Sequence, residues 1–221
     1  IPILIAIVFR ATGESQNTSP LEFAFEFVAD LILGTLLPLV ALVFGTTALG
    51  SEIEDGTIVF LLSKPVRRWK VVVVKGAVAA AGTALLAVPT TIAATWIITG
   101  SPTEGGLVVG LAIAALVASV VYSALFVALS AITGRALVSA LVIGLIYVFV
   151  WENLLATAFN GISWLSVRAY ARGWADAAID LAGYEPRLAF GPSVAMSLVV
   201  TAGALWWGSR KLAAFEIGER A

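Results

Sequence analysis

Ser51–Lys75, SEIEDGTIVFLLSKPVRRWKVVVVK, is a charge-dense segment set between two long apolar runs. Glu52, Glu54 and Asp55 precede the patch Ile58-Val59-Phe60-Leu61-Leu62, and Lys64, Arg67, Arg68, Lys70 and Lys75 follow it, with Gly56 and Pro65 as punctuation. In hydrocarbon, each charge at mid-span costs about 3 kcal/mol. The segment therefore belongs at a membrane surface, as a short amphipathic helix open to a partner. Glu52, Glu54 and Asp55 near the start of that helix, and Lys64 near its end, suit the helix dipole. Pro65 ends the helix. Lys75 is expected to snorkel from the next span to the surface.

Composition agrees with a membrane reading. Of 221 residues 60% are hydrophobic and 12% charged, and mean hydropathy is +1.01. Soluble domains run at about 45–50% apolar and about 25% charged. A net charge of −1 gives no electrostatic case for nucleic acid. With neither cysteine nor histidine, thiol chemistry is excluded and the usual zinc, haem and copper sites lose their ligands.

Outward from the central segment, the chain divides into spans. Residues 31–50 form one span, with Pro38 as an internal kink that neighbouring helices must compensate. Residues 71–100, 107–132, 136–159 and 188–212 are four more, and 51–70 is the loop. Ile1–Phe9 is apolar but shorter than the ~20 residues a span needs, and reads as the end of a first span that begins upstream. A cleaved signal peptide is the alternative. Residues 160–187 mix Trp164, Arg168, Tyr170, Arg172, Trp174 and Asp176, which fits interfacial helices better than a crossing. The fold class is thus all-α: a single transmembrane helical bundle of six spans, the first truncated.

Charge sets the topology. With Arg10–Pro20 outside, the inner segments hold Lys64, Arg67, Arg68, Lys70, Lys75, Arg135, Arg210, Lys211 and Arg220, nine bases, against four outside, Arg10, Arg168, Arg172 and Arg187. The positive-inside rule then puts the loop and both termini in the cytoplasm.

The loop also carries a family likeness. Glu52-x-Glu54-x-Gly56-Thr57, then Ser63-Lys64-Pro65-x-x-Arg68 and Lys75, resembles the loop after the second span in ABC-2 type transporter permeases. That loop reads E-x-E-x-G-T, an apolar turn or two, S-K-P-x-S-R, and a lysine opening the third span. Arg67 departs from the pattern, standing where the family has a small residue. The likeness in span order extends over nearly the whole chain.

The resemblance implies a permease subunit of an ATP-driven exporter in a bacterial or archaeal cell membrane, paired with a second permease and with cytoplasmic ATPase subunits. It assigns docking on the ATPase to Gly50–Trp69, with Glu52, Glu54, Gly56, Thr57, Phe60, Lys64, Pro65, Arg68 and Lys75 as the coupling residues. ATP and magnesium would be held by the partner and no cofactor by this chain. That agrees with the lack of a G-x-x-x-x-G-K-[ST] phosphate loop. An ordinary amphipathic loop is the plainer reading, and an ATP-independent structural or sensing membrane protein the rival function.

Two acidic features remain. Glu22, Glu26 and Asp30 recur at i, i+4 and i+8, one stripe on a helix: either a solvated rim or the mouth of a translocation path. Glu152, in VFVWENLLATAF, is a carboxylate within a span. It is either a gate or cation contact, or a hydrogen-bonded acid near the outer boundary that pairs with Arg168 or Arg172.

Overall fold

The computed structural model describes residues 1–12, 20–58, 60, 67–101, 106–133, 137–155, 164–179 and 188–214. The expected coupling residues Lys64 and Pro65 lie outside that set. In chain order the helices are α1 (Pro2–Thr12), α2 (Pro20–Glu54), α3 (Arg68–Thr99), α4 (Leu107–Thr133), α5 (Leu137–Ile146, running on as a π-helical stretch, Tyr147–Leu155), α6 (Val167–Ala175) and α7 (Phe190–Ala213). No strand occurs among the described residues. Four helices, α2, α3, α4 and α7, are long and apolar enough to cross a membrane, and α1 and α5 are shorter apolar helices.

Of the long helices α2, α4 and α7 run toward one end of the bundle, and α3 runs away from it. Ser130 near the end of α4 donates to the Thr46 carbonyl of α2 (3.3 Å), and Arg68 at the start of α3 donates to the Leu212 carbonyl at the end of α7 (3.2 Å). These contacts define one end of the bundle, the loop end. At the opposite end Arg10 of α1 donates to the Ile98 carbonyl of α3 (3.4 Å), and α6 packs beside the start of α7. Arg10 and Arg68 thus serve the same purpose at opposite ends, each satisfying a carbonyl at a helix C-terminus.

Helix α4 is the centre, touching α2, α3, α6 and α7. Its buried positions are mostly small: Ala114, Ala115, Ala118, Ser119, Ser123, Ala124 and Ala128. In lipid there is no hydrophobic drive between helices, so close backbone approach and dispersion hold them together. Gly45 of α2 shows how close: a Cβ there would lie 2.7 Å from Phe126 Cβ. Buried hydroxyls satisfy themselves one turn back, Thr46 on the Leu42 carbonyl (2.6 Å) and Thr83 on that of Ala79 (2.8 Å), while Thr83 and Ser123 also meet across α3 and α4 (3.3 Å).

Helix α2 runs unbroken from the acidic stripe to the charged loop, but its winding changes. Val28–Leu36 is π-helical, and the Leu37 N–H bonds back to the Ile32 carbonyl. Pro38 lacks an N–H, which leaves the Gly34 carbonyl without its α-helical donor. Asn153 of α5 supplies one: its Nδ2 donates to Gly34 O (3.0 Å) and also to Val148 O (2.9 Å) inside the second π stretch. The compensation that Pro38 demands comes from one amide that ties both widened stretches together.

Candidate functional site

At the loop end, α2 closes at Glu54. The Asp55 N–H reaches Ser51 O (2.9 Å) and the Gly56 N–H reaches Ile53 O (3.3 Å). Gly56 has φ +71° and a Cβ there would meet nothing within 4 Å, so the backbone conformation alone calls for glycine. Helical residues resume at Ile58, with the Phe60 N–H on Thr57 O (3.0 Å) and Thr57 Oγ1 on Glu52 O (3.4 Å). The apolar patch divides here. Ile58 is buried among Leu49, Ile53, Val72 and Leu212, whereas Phe60 is 75% exposed.

Three expectations shift. The acids are on the last turn of α2, so Glu52 and Glu54 face the carbonyl end of its dipole, not an N-terminus. Glu54 and Asp55 are exposed to water, while Glu52 takes a cation of its own: Lys75 Nζ lies 2.5 Å from its Oε1. Lys75 therefore commits its ammonium to Glu52 on the last turn of α2. Arg68 spends its guanidinium on the end of α7, holding the last helix against the loop. Gly56, Thr57, Glu54 and Phe60 are left as the outward-facing group.

At the opposite end the polar groups converge. Glu152 is fully buried and accepts from Tyr147 Oη (3.0 Å), Ser166 Oγ (2.7 Å) and the Val167 N–H (2.7 Å). Ser166 is the N-cap of α6: while donating to Glu152 it accepts from the Ala169 N–H (3.2 Å). The carboxylate therefore sits on the positive end of the α6 dipole. On the same helix Arg168 and Arg172 both reach Asp30 Oδ1, at 3.2 and 3.1 Å, and Trp174 Nε1 donates to Ser197 Oγ of α7 (3.1 Å). Of the acidic stripe, Asp30, on the π-helical stretch, meets both arginines and remains exposed, as do Glu22 and Glu26.

Tyr170 of α6 is buried and donates to the Trp164 carbonyl. Burial, with the Glu152 carboxylate nearby, pushes its phenol up to about 12. One of the two sequence readings of Glu152 pairs it with Arg168 or Arg172. The structure brings all three to one helix, with Asp30 joining the two arginines. Asn153, Ser166 and Tyr147 escaped the sequence reading. The adjacent polar pair Glu152-Asn153 inside an apolar run was the signal that pointed toward them.

Membrane-length apolar helices with charges confined to their ends define an integral membrane protein of the helical-bundle class. Residues 4–184, covering α1 through α6, match the family described as ABC-2 family transporter protein. The chain belongs to that family and is a membrane permease of an ABC transporter. Comparison with curated proteins and with solved structures returned no match.

Proposed function

We propose that the chain is the membrane-spanning subunit of an exporter driven by a separate ATPase that docks at the loop end. The observation supporting this is the shape of that end. The E-x-E-x-G-T turn buries Ile58 and presents Glu54, Asp55, Thr57 and Phe60 outward, directly on the end of α2. An exposed aromatic beside carboxylates is a surface for a protein groove, with the phenyl ring as the apolar anchor and the acids selecting a basic rim.

In this reading the loop end is cytoplasmic, as the nine-to-four split of basic residues favours. ATP and Mg²⁺ bind the ATPase subunits, whose closure moves the Gly50–Trp69 segment, including Lys64 and Pro65. Helix α2, 35 residues long, carries the displacement as one body toward Asp30 and the Glu152 region. A second permease, identical or similar, completes the path, and Glu22, Glu26, Asp30 and Glu152 border its outer mouth.

The test is a mild-detergent pull-down from the native membrane, followed by an ATPase assay. Wild-type chain should bring down a nucleotide-binding subunit, and Glu54→Lys or Phe60→Ala should weaken the complex at least about tenfold, as for a hot-spot residue. A folded wild-type chain that recovers no ATPase, or variants that bind and stimulate it as wild type does, would sink the reading.

A further inference from the structure

A groove of about 400 Å³ opens on the side of the bundle between α3, α4 and α7. Gly76, Ala80 and Ala84 form one wall, Leu116 and Val120 a second, and Leu205 a third. From Val73 to Ala84 it follows α3 for about 16 Å. A slot of that length and volume suits a single hydrocarbon chain.

Its loop-end mouth is cationic. Lys70 stands one helical turn before Val73, on the same face of α3. The Arg68–Leu212 hydrogen bond holds the end of α7 beside it, while Arg210, five and nine positions on from the groove-lining Leu205 and Thr201, is on the far face of α7. Lys70 lies 5.9 Å from the Trp69 ring centre and Arg210 lies 4.5 Å from that of Trp206. Both rings are about half exposed, as indoles are at headgroup depth. Arg67, Lys70, Arg210 and Lys211 are exposed, and none is in an ion pair among the described residues. The chain's described acids at this end, Glu52, Glu54 and Asp55, are all on or just after α2.

We propose that the groove seats one acyl chain of an anionic phospholipid of the surrounding bilayer, with the lipid phosphate on Lys70. The apolar slot and the cation at its mouth match the two halves of such a lipid, and neither half alone accounts for the pair. A lysine held over an indole ring is already placed, so little ordering cost falls on binding. The lipid wedges α3 against α7 where Gly76 and Leu205 meet, and needs only a bilayer around the chain. The inference is independent of any ATPase.

The experiment is electron spin resonance on the full chain reconstituted in phosphatidylcholine vesicles doped with chain-labelled phosphatidylglycerol or phosphatidylcholine. Wild type should immobilise the phosphatidylglycerol probe in preference. Lys70→Gln should reduce that preference about fivefold, the worth of one basic residue at an anionic surface, and Arg210→Gln, on the far face of α7, should leave it unchanged. Ala80→Phe, which fills the groove, should abolish the preferential site while the exposed-residue variants confirm that the reconstituted chain folds. Equal association of the two probes with wild type overturns the headgroup site. Unchanged preference in Ala80→Phe overturns the groove as its seat. Conversion of a dimer to a monomer by Ala80→Phe in detergent assigns the groove to a second copy of the chain instead.

Discussion

Two glutamates, one at each end of the bundle, are treated in opposite ways. Glu152 is fully buried, and neutral donors from α5, the α6 N-cap and the α6 backbone close around it. Glu52 is half-buried, has one lysine at 2.5 Å, and its Oε2 is without a hydrogen-bond partner among the described residues. The donors to Glu152 are a backbone N–H, a short serine hydroxyl and a rigid phenol, whereas Lys75 is a flexible point charge. One end is therefore locked by groups that cannot leave without stranding a buried charge. The other is tied loosely enough to be moved. In the proposed reading, the distal assembly responds as a unit and the proximal end is the part that an ATPase moves.

Removing the lock should have the largest effect. Glu152→Ala strands the Tyr147 hydroxyl, the Ser166 hydroxyl and the first N–H of α6, and bonds to a charged acceptor are each worth about 1.5–3 kcal/mol. A loss of about 3 kcal/mol or more is expected in chemical unfolding of the detergent-solubilised chain, with Glu152→Gln retaining part of it. If Glu152→Ala costs no more than a surface substitution, the contrast between the two ends is wrong.

High pH offers a gentler probe of the same assembly. The Tyr170 phenol ionises near 10 when unfolded and at about 12 in place. Its contribution is fully present below pH 10 and is lost as pH rises from 10 through 12, because the unfolded state there sheds its proton first. Ultraviolet titration should show a phenolate step near pH 12 that is lost in Tyr170→Phe.

How much of this was legible beforehand differs between the ends. The loop end announced itself, because charges that hydrocarbon excludes must stand at a span boundary, and their order matched a family pattern. Its fine arrangement was not legible: whether Ile58 or Phe60 turns inward depends on Leu49, Val72 and Leu212, which come from three different helices. At the opposite end Glu152 stood out as a span carboxylate, but two of its donors come from residues 14 and 15 positions on. Pro38 signalled a missing hydrogen bond, and only the fold shows Asn153, 119 residues from Gly34, replacing it. No periodicity rule marks the two π stretches, since their apolar pattern also fits an α-helix.

A smaller effect is expected from Gly56. Alanine at φ +71° costs about 1 kcal/mol, and with open space around the site the cost is purely conformational. Gly56→Ala should barely change the unfolding of the bundle while weakening ATPase capture, since the turn aims Phe60. Gly56→Asn, which tolerates the left-handed region, should recover most of it. Equal losses in both variants would show that the turn does not set the docking geometry.

The smallest effect belongs to the Glu52–Lys75 pair, and it measures the comparison most directly. Both side chains retain about 30% exposure, at 30% and 27%, so solvent screens much of their attraction. A double-mutant cycle of Glu52→Gln and Lys75→Met should give a coupling below about 1 kcal/mol that shrinks as salt is added. Because the second Glu52 oxygen has nothing to lose, Glu52→Gln alone should be close to neutral. A coupling of about 3 kcal/mol, comparable to the expected loss at Glu152, would mean that both ends are locked alike. The loop could then transmit motion only by breaking that pair, and ATPase binding would have to supply its replacement.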